Sequence, residues 1–500
     1  MTLFRWRAHV CDPRTKGDSV SRRFAIIGAG MSGILAGIKL KQRGIRDFVI
    51  YEKADRLGGT WRDNTYPGLS CDVPSHVYVY SFELKPDWSH RFSPGAEIQD
   101  YFEGVSRKYG LDSHFRFNSE IARAEYRDRR WHLSTKGGAI DVVDFVICAT
   151  GVLHHPAYPD IPGLDEFKGA CFHSARWDHC VPHEGKRVGI VGTGSTAVQI
   201  VPALADTVSQ LTLFQRTAQW ILPLANPAYS ENEKAMYRAS PERLRQSYEF
   251  WSARFVDTFA RAVIGDQDEL QKIEEACRNN LEQNVTDADL RRKLTPGYRA
   301  ACKRLIMSDT FYPAMQKRNV ALVTDRIVRI EAGGVRTADS VLHELDLLVL
   351  ATGFDGHAFL RPMEVVGERG RRLADAWAGA NEAYRSVAVP GFPNFFMLVG
   401  PNSPIGNFSV ILISEIQVAY ILQLVDLVLA GKCHSVMPKE EATRGFNAAL
   451  REAMKETIWV SGCRSWYLDR NGNPALWPWS FDRFRNEMSC PNFADFDLAA

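Results

Sequence analysis

Two segments of the chain share the same pattern of apolar and polar positions. Residues 24–27 form an uninterrupted apolar run that leads into a glycine-rich turn at 28–33, and apolar residues at helical spacing follow. The same order returns at 187–216. Short apolar runs predict buried strands, whereas spacings of three and four predict an amphipathic helix. We therefore predict two strand–turn–helix–strand units of the kind that binds nucleotides.

Two further apolar runs, 144–151 and 346–355, contain Ala-Thr-Gly at the end of a predicted strand, where glycine allows a close backbone turn. Residues 226–300, between these runs, have a helical character. One predicted helix begins at Ser240-Pro241 and keeps apolar residues every three or four positions up to Gly265, and Thr286 and Asp289 mark the start of another. The pattern predicts a helical insertion.

One stretch without charge, 395–414, is long enough to span a bilayer, but its glycine and proline residues break a helix. Residues 407–430 have helical spacing, carry Glu415 and Asp426, and stop at Gly431, a usual residue after a helix end. We expect a helix that opens at 407 after Gly400-Pro401-Asn402, and we expect no membrane insertion.

Composition removes several classes of function. The 500 residues carry 61 basic and 59 acidic side chains, a formal charge of +2, so no global attraction to nucleic acid or to an anionic membrane is expected. The 10 cysteines have no C-x-x-C pair and no metal-ligand spacing, which predicts reduced thiols, no metal site and a cytoplasmic location. Residues 1–20 lack the apolar core of a secretory signal and predict a loose basic arm.

The two glycine turns differ at the position that selects the nucleotide. A glycine turn that opens a helix lets the backbone approach a pyrophosphate, which the helix N-terminus stabilises. After the first turn, Glu52 ends the second strand and is placed to accept ribose hydroxyls, which favours FAD or NAD. After the second turn, Arg216 and Thr217 take that place and suit a 2′-phosphate, hence NADPH. One flavin and one NADPH in one protein imply hydride transfer between them.

Two longer motifs carry a resemblance to a known family. Residues 167–178, FKGACFHSARWD, fit F-x-G-x-x-x-H-x-x-x-W-[P/D], and residues 58–72, GGTWRDNTYPGLSCD, fit G-G-x-W-x-x-x-x-[F/Y]-P-G-x-x-x-D. Both are fingerprints of the Baeyer–Villiger monooxygenases, class B flavoprotein monooxygenases that use FAD and NADPH. The motifs extend from Gly28 to about Trp466, nearly the whole chain.

The resemblance implies a mechanism and site residues. In the family, oxygen adds to the reduced flavin as a C4a-peroxide, which an arginine keeps deprotonated for attack on a ketone, and an aspartate of the second fingerprint holds that arginine. Asp72 matches the aspartate, and the Cys302-Lys303-Arg304 segment is similar to the family's G-x-K-R-L stretch. The resemblance therefore places the catalytic arginine at Arg304 and Lys303 beside the 2′-phosphate. It also implies that Trp459 lies in a mobile loop and contacts the nicotinamide nucleotide, and that His173 and Trp177 shape domain motion.

The predicted fold class is α/β, with two Rossmann-like dinucleotide-binding domains and a helical insertion. Residues 1–152 and 353–500 are expected to form the FAD-binding domain, 153–225 and 300–352 the NADP-binding domain, and 226–299 the insertion. The predicted catalytic residues are Arg304 and Asp72. The predicted cofactor-binding residues are Gly28, Gly30, Gly33, Glu52, Thr60, Trp61, Asp72, Tyr78, Gly192, Thr193, Gly194, Ser195, Thr196, Gln199, Arg216, Thr217, Lys303 and Trp459.

The predicted function is insertion of one oxygen atom from O₂ beside a ketone carbonyl to give an ester or a lactone. Oxygenation of a sulfide or an amine stays open, as do a flavoprotein reductase or oxidase and a non-catalytic nucleotide-binding scaffold. We expect the insertion, the loop near 400 and the C-terminal aromatic stretch to line an apolar substrate pocket. The expected partners are a small ketone and O₂, in a monomer or weak homodimer.

Overall fold

The computed structural model describes residues 22–406 and 408–499, so the predicted basic arm lies outside the described residues. The helices are α1 Met31–Gln42, α2 Thr60–Asp63, α3 Gly95–Lys108, α4 Ser195–Leu204, α5 Glu231–Ala239, α6 Pro241–Asp257, α7 Phe259–Val263, α8 Gln267–Asn284, α9 Ala288–Leu294, α10 Phe311–Met315, α11 Leu373–Ala376, α12 Val410–Leu429, α13 Glu440–Met454 and α14 Phe481–Glu487. The strands are β1 Phe24–Ile27, β2 Phe48–Tyr51, β3 Phe115–Arg116, β4 Ile121–Arg127, β5 Arg130–Thr135, β6 Ile140–Val143, β7 Phe145–Cys148, β8 Ala170–His173, β9 Arg187–Val191, β10 Gln210–Phe214, β11 Ile221–Leu222, β12 Ile306–Met307, β13 Val320–Val323, β14 Ile327–Glu331, β15 Gly334–Thr337, β16 Leu342–Glu344, β17 Leu347–Leu350, β18 Glu364–Val366, β19 Phe395–Met397, β20 Ser435–Pro438 and β21 Phe496–Ala499.

Two parallel five-stranded sheets organise the fold. The first has the order β19-β7-β1-β2-β3 and the second the order β13-β10-β9-β17-β8. In each sheet, the strand before the glycine turn lies between the strand after the helix and the strand that leads into Ala-Thr-Gly. The predicted α/β class with two Rossmann-like units is confirmed. The domain boundaries stay a prediction.

The alternation of side chains along β1 explains how the first sheet is covered on both faces. Phe24 and Ile26 point to a core shared with α1, α3 and α12, whereas Ala25 and Ile27 point to a second core under the sheet β18-β4-β5-β6. Successive strand residues face opposite sides, so a strand with cores on both sides has no polar positions. This explains the uninterrupted apolar run.

The region predicted as a helical insertion contains α5 to α9, but the predicted helix from 241 to 265 is not continuous. Ser240 caps α6 by accepting a hydrogen bond from the Arg243 N–H at 3.3 Å. Thr258, with φ −118° and ψ −90°, interrupts the helix and separates α6 from α7. The later start is also displaced, because Asp287, not Thr286, caps α9, accepting from Leu290 N–H at 2.7 Å.

Helix α12 is, among the described residues, the one helix long and apolar enough to cross a bilayer. It begins at Val410, three residues after the predicted start at 407, and Gly431 follows its end with φ +67°, as predicted. Most of its apolar side chains are buried, and Ser414 hydrogen-bonds Ser32 of α1 at 2.9 Å. The apolar composition is thus used in packing against α1.

The prediction that all cysteines are reduced is wrong for one pair. Cys302 and Cys463 form a disulfide with a Cα–Cα distance of 6.2 Å. The two residues are 161 positions apart, so no local spacing marks them as partners. The other cysteines among the described residues, such as the buried Cys71, are free thiols.

Candidate active site

The first glycine turn packs closely against the first Ala-Thr-Gly and leads into a helix without a cap. Gly28 has φ +107°, and a Cβ there would lie 2.5 Å from the Ala149 carbonyl oxygen of the first Ala-Thr-Gly. Gly30 precedes α1, which has no side-chain cap and no acidic residue in its first turn. Five other helices, among them α5 and α6, do have a capping side chain. The uncapped N–H groups of α1 therefore suit a pyrophosphate.

Glu52 is buried at the end of β2 and is held for recognition of a polar ligand. Its Oε2 accepts the Ala29 N–H at 2.9 Å, and its Oε1 lies 3.1 Å from Nη1 of Arg62. A carboxylate has further lone pairs, so it can still accept ribose hydroxyls. Arg62 was not predicted, because its contact with Glu52 appears only when the second fingerprint folds against the turn.

The second fingerprint packs directly on the first glycine turn. The Gly58 N–H donates to the Ala29 carbonyl at 2.9 Å, and a Cβ on Gly59 would lie 3.1 Å from Gly30 Cα. Gly33 is buried in the first turn of α1, and Thr60 opens α2. Next to it, Trp61 Nε1 donates to Tyr78 Oη at 3.1 Å. The segment that carries Thr60 and Trp61 is thus held against the glycine turn, and Trp61 connects it to Tyr78.

The second glycine turn has the same backbone geometry as the first. Gly192 has φ +114°, and a Cβ there would lie 2.3 Å from the Ala351 carbonyl oxygen of the second Ala-Thr-Gly. Helix α4 begins at Ser195 and Thr196 after an uncapped Gly194, again with no acidic residue in its first turn. Thr193 Oγ1 donates to the Thr217 carbonyl at 2.8 Å, which ties the turn to the end of β10.

Arg216, Thr217 and Lys303, all three predicted to lie beside the 2′-phosphate, line one cavity of about 470 Å³. Burial and the neighbouring Arg216 lower the pKa of Lys303. Tyr298, Gly462, Cys463 and Arg464 complete the lining, and among the described residues it contains no carboxylate. Arg464 was not predicted as a site residue, although the segment that contains it resembles the family's mobile loop.

The structure brings Arg304 and Asp72 together across 232 positions of sequence. Arg304 lies in the loop before β12, and its Nε donates to Asp72 Oδ2 at 2.9 Å, with Nη2 donating to the same oxygen. Burial works to lower the pKa of Arg304, but the charge and hydrogen bonds of Asp72 hold it above its usual value. The group is therefore a fixed cation.

Tyr467 is a neighbour of Arg304 that sequence reasoning did not assign a role. Its ring is 1% exposed, and its hydroxyl has no partner within hydrogen-bond geometry among the described residues. A Cβ on Gly406 would lie 2.7 Å from Tyr467 Oη and 3.4 Å from Arg304 Nη1. Burial raises the pKa of Tyr467, and Arg304 opposes that rise. The phenol therefore stays protonated beside the cation.

The first fingerprint contacts the second Ala-Thr-Gly. His173 Nε2 donates to the Gly353 carbonyl at 3.0 Å, and its Nδ1 accepts the Ala175 N–H at 3.1 Å. Burial lowers the pKa of His173. Both ring nitrogens bond to backbone groups, so His173 has a structural position, and its predicted role in domain motion stays a prediction. Trp177 is also buried and packs edge-on against Phe172 at 5.1 Å.

Two predicted cofactor-binding residues make protein contacts instead of lining the cavity. Gln199 Oε1 accepts from Tyr66 Oη at 2.9 Å, and its Nε2 donates to the Ser70 carbonyl at 2.9 Å. Trp459 is 1% exposed in an apolar cluster that also contains Tyr467. Their contacts with NADPH stay predictions.

The segments expected to line the substrate pocket meet in that same apolar cluster. Val263 comes from the insertion, Ile405 from the loop near 400, and Trp466 from the C-terminal aromatic stretch. The cluster adjoins Arg304 through Tyr467, so apolar side chains lie next to the fixed cation.

Comparison with known proteins identifies the class. A family model described as flavin-binding monooxygenase-like matches residues 21–239. An uncharacterized monooxygenase of Mycobacterium tuberculosis is 48% identical over 95% of both chains. A Baeyer–Villiger monooxygenase of Streptomyces coelicolor is 41% identical over 95% of this chain and 92% of its own length. The crystal structure of cyclohexanone monooxygenase from Rhodococcus sp. Phi1 bound to NADP⁺ matches with a TM-score of 0.86 at 29% identity, covering 96% of this chain and 99% of its own.

These matches define a flavin monooxygenase with two dinucleotide-binding units. The chain belongs to the Baeyer–Villiger monooxygenase family. The predicted family and enzyme class are confirmed, and the reductase and scaffold alternatives are set aside.

Proposed function

We propose that this chain inserts one oxygen atom from O₂ beside a ketone carbonyl, giving an ester or a lactone, with Arg304 and Asp72 as the catalytic pair. One observation supports the residue assignment: the Arg304–Asp72 ion pair joins the two family motifs in space, 2.9 Å apart at Nε and Oδ2. The overall reaction agrees with the family to which the chain belongs.

The two nucleotide sites fit FAD and NADPH. The uncapped α1 N-terminus and buried Glu52 suit the FAD pyrophosphate and ribose, and the cavity lined by Arg216 and Lys303 suits the NADPH phosphate. The prediction of FAD and NADPH is confirmed at the level of the family. When bound, the flavin accepts hydride from NADPH and supplies electrons to O₂.

Arg304 supplies a positive charge that does not change during turnover. An arginine in a protein does not lose its proton, so it stabilises an anionic oxidant without protonating it. Asp72 holds two nitrogens of the guanidinium on one oxygen, which fixes the direction in which the remaining N–H groups point. Asp72 is thus the orienting partner.

The substrate is an apolar ketone in this proposal, because apolar side chains from three segments cluster next to Tyr467, the neighbour of Arg304. Oxygenation of a sulfide or an amine is the alternative. A monomer or weak homodimer and a cytoplasmic location stay predictions.

A product assay with labelled oxygen tests the proposal. Purified holoenzyme is given NADPH, ¹⁸O₂ and a panel of linear, cyclic, aromatic and steroidal ketones, with sulfides and amines as a parallel panel. We expect esters or lactones that carry one ¹⁸O atom. Products only from the sulfides or amines would replace the proposed reaction with the alternative.

A further inference from the structure

Three cations meet in one cavity without an acidic partner. Arg216, Lys303 and Arg464 all line the cavity of about 470 Å³. Within residues 22–406 and 408–499, none of the three lies within ion-pair distance of a carboxylate, and Lys303 instead stands 4.6 Å from the ring centroid of Tyr298. Like charges that share a site repel one another, so the arrangement is built for an anion that is not part of the chain.

Arg464 comes to this cavity from a distant part of the sequence, and a disulfide brings it there. Cys302 immediately precedes Lys303, and Cys463 immediately precedes Arg464. The bond between the two cysteines therefore fastens the loop that carries Arg464 to the loop that carries Lys303. Two serines add to this attachment, because Ser461 Oγ donates to Cys302 Sγ at 3.1 Å and Ser465 Oγ contacts the Cys302 carbonyl at 3.5 Å.

The backbone around Arg464 has no regular structure to hold it. Gly462 has φ +98°, and the Ile458–Val460 turn ends just before it. An arginine on such a loop would lose considerable side-chain and backbone freedom when it binds a ligand. A covalent link at the adjacent residue removes part of that freedom in advance, which favours binding by preorganisation.

We propose that Arg464 is a third cation for the 2′-phosphate of NADPH and that the Cys302–Cys463 disulfide positions it. The inference rests on the proposed use of NADPH and adds a specificity-determining residue to that site. A guanidinium forms paired hydrogen bonds with phosphate oxygens, so Arg464 complements Arg216 in the cavity lining.

The same loop links the phosphate site with the catalytic pair. Three residues after Arg464, the buried Tyr467 stands beside Arg304. Binding of the 2′-phosphate to Arg464 consequently favours the loop arrangement in which Tyr467 packs at Arg304. NADH, which lacks the 2′-phosphate, does not have this effect.

Binding of small nucleotides to the holoenzyme tests the proposal. Adenosine 2′,5′-bisphosphate and adenosine 5′-monophosphate differ only in the 2′-phosphate, so the ratio of their dissociation constants, measured by calorimetry, isolates that group. We expect Arg464→Ala to raise the dissociation constant of the bisphosphate about 10-fold or more, in line with loss of a hydrogen bond between charged groups. The dissociation constant of the monophosphate should not change. Arg464→Lys should lose less affinity for the bisphosphate than Arg464→Ala. Arg444→Ala, on α13 and outside the cavity lining, removes one positive charge as a control and should change neither constant.

A double-mutant cycle tests the role of the disulfide. Cys463→Ser should weaken binding of the bisphosphate. Cys302→Ala removes the same disulfide from its other end and should weaken binding to the same extent. When either cysteine change is combined with Arg464→Ala, the affinity for the bisphosphate should fall little further, because the disulfide acts through Arg464. Flavin content of each variant verifies that it is folded.

Two results would overturn the inference in different ways. If the unaltered enzyme binds both nucleotides equally, the NADPH assignment fails and the role of Arg464 fails with it. If the unaltered enzyme prefers the bisphosphate and Arg464→Ala keeps that preference, only the inference is wrong. If the cysteine and arginine changes had fully additive effects on the free energy of bisphosphate binding, the disulfide would not position Arg464.

Discussion

The two glycine turns allow the two cofactors to be removed one at a time. Gly28 and Gly192 each have φ above +100°, and a Cβ added to them would lie 2.5 and 2.3 Å, respectively, from the carbonyl oxygen of an Ala-Thr-Gly. Cβ atoms essentially never approach other heavy atoms within 3.0 Å, so alanine at either residue must displace backbone. We predict that Gly28→Ala binds FAD more weakly, and that Gly192→Ala binds FAD normally and NADPH more weakly.

The magnitude follows from two contributions. Alanine with positive φ costs about 1–2 kcal/mol, and the overlap with a backbone carbonyl adds about 1–3 kcal/mol, as overpacking does. If the overlap distorts the ligand-binding turn, the second contribution weakens binding of the cofactor about 5- to 150-fold. Gly44→Ala separates the two contributions, because Gly44 has φ +82° but no atom of the described part of the chain lies within 4 Å of the position that a Cβ would take.

The assay is FAD titration of apoprotein together with the KM for NADPH. Gly28→Ala should raise the dissociation constant for FAD, Gly192→Ala should raise only the KM for NADPH, and Gly44→Ala should change neither. Unchanged FAD affinity in Gly28→Ala, or loss of the same cofactor in both turn variants, would show that the turns do not divide the cofactors in this way.

Three further predictions concern single charges. Asp72→Asn leaves Arg304 without a carboxylate, so ester formation should fall about 10- to 100-fold while NADPH consumption continues; equal product yield per NADPH would contradict the orienting role. Arg216→Ala should raise the KM for NADPH about 10- to 100-fold and leave the KM for NADH unchanged, whereas an equal rise for both would show that no 2′-phosphate is bound there. Burial raises the pKa of Glu415 from its ordinary 4.5, although hydrogen bonds from Ser81 lower it. The folded state therefore favours the protonated acid, and stability falls as the pH rises from below 4.5 through the raised pKa. Glu415→Gln, which stays neutral, should gain thermal stability relative to the unaltered protein over that pH range; a difference independent of pH would exclude this.

Local pattern was sufficient to predict the nucleotide-binding units. The runs before Gly28 and Gly192 are short and wholly apolar because both faces of these strands are buried, and the turn residues are adjacent in sequence. The Arg304–Asp72 pair was reached only through the resemblance, since 232 residues separate its members and no periodicity connects them.

Features that depend on tertiary contacts were missed. Arg62 contacts Glu52, and Arg464 comes to the same cavity as Lys303, only after separate segments fold together. The Cys302–Cys463 bond has the same origin, because spacing along the chain does not bring the two residues together. The break at Thr258 lies within an apolar helical pattern, and the pattern alone contains no signal for it.

The role of Arg304 is decided by the amount of product formed per NADPH consumed in Arg304→Ala. We predict that this variant binds FAD, oxidises NADPH and releases hydrogen peroxide, but forms no ester or lactone from a ketone that the unaltered enzyme converts. Arg304→Lys, which keeps the charge but not the paired hydrogen bonds to Asp72, should form little product. Ester formation by Arg304→Ala at the rate of the unaltered enzyme would show that Arg304 is not the catalytic cation.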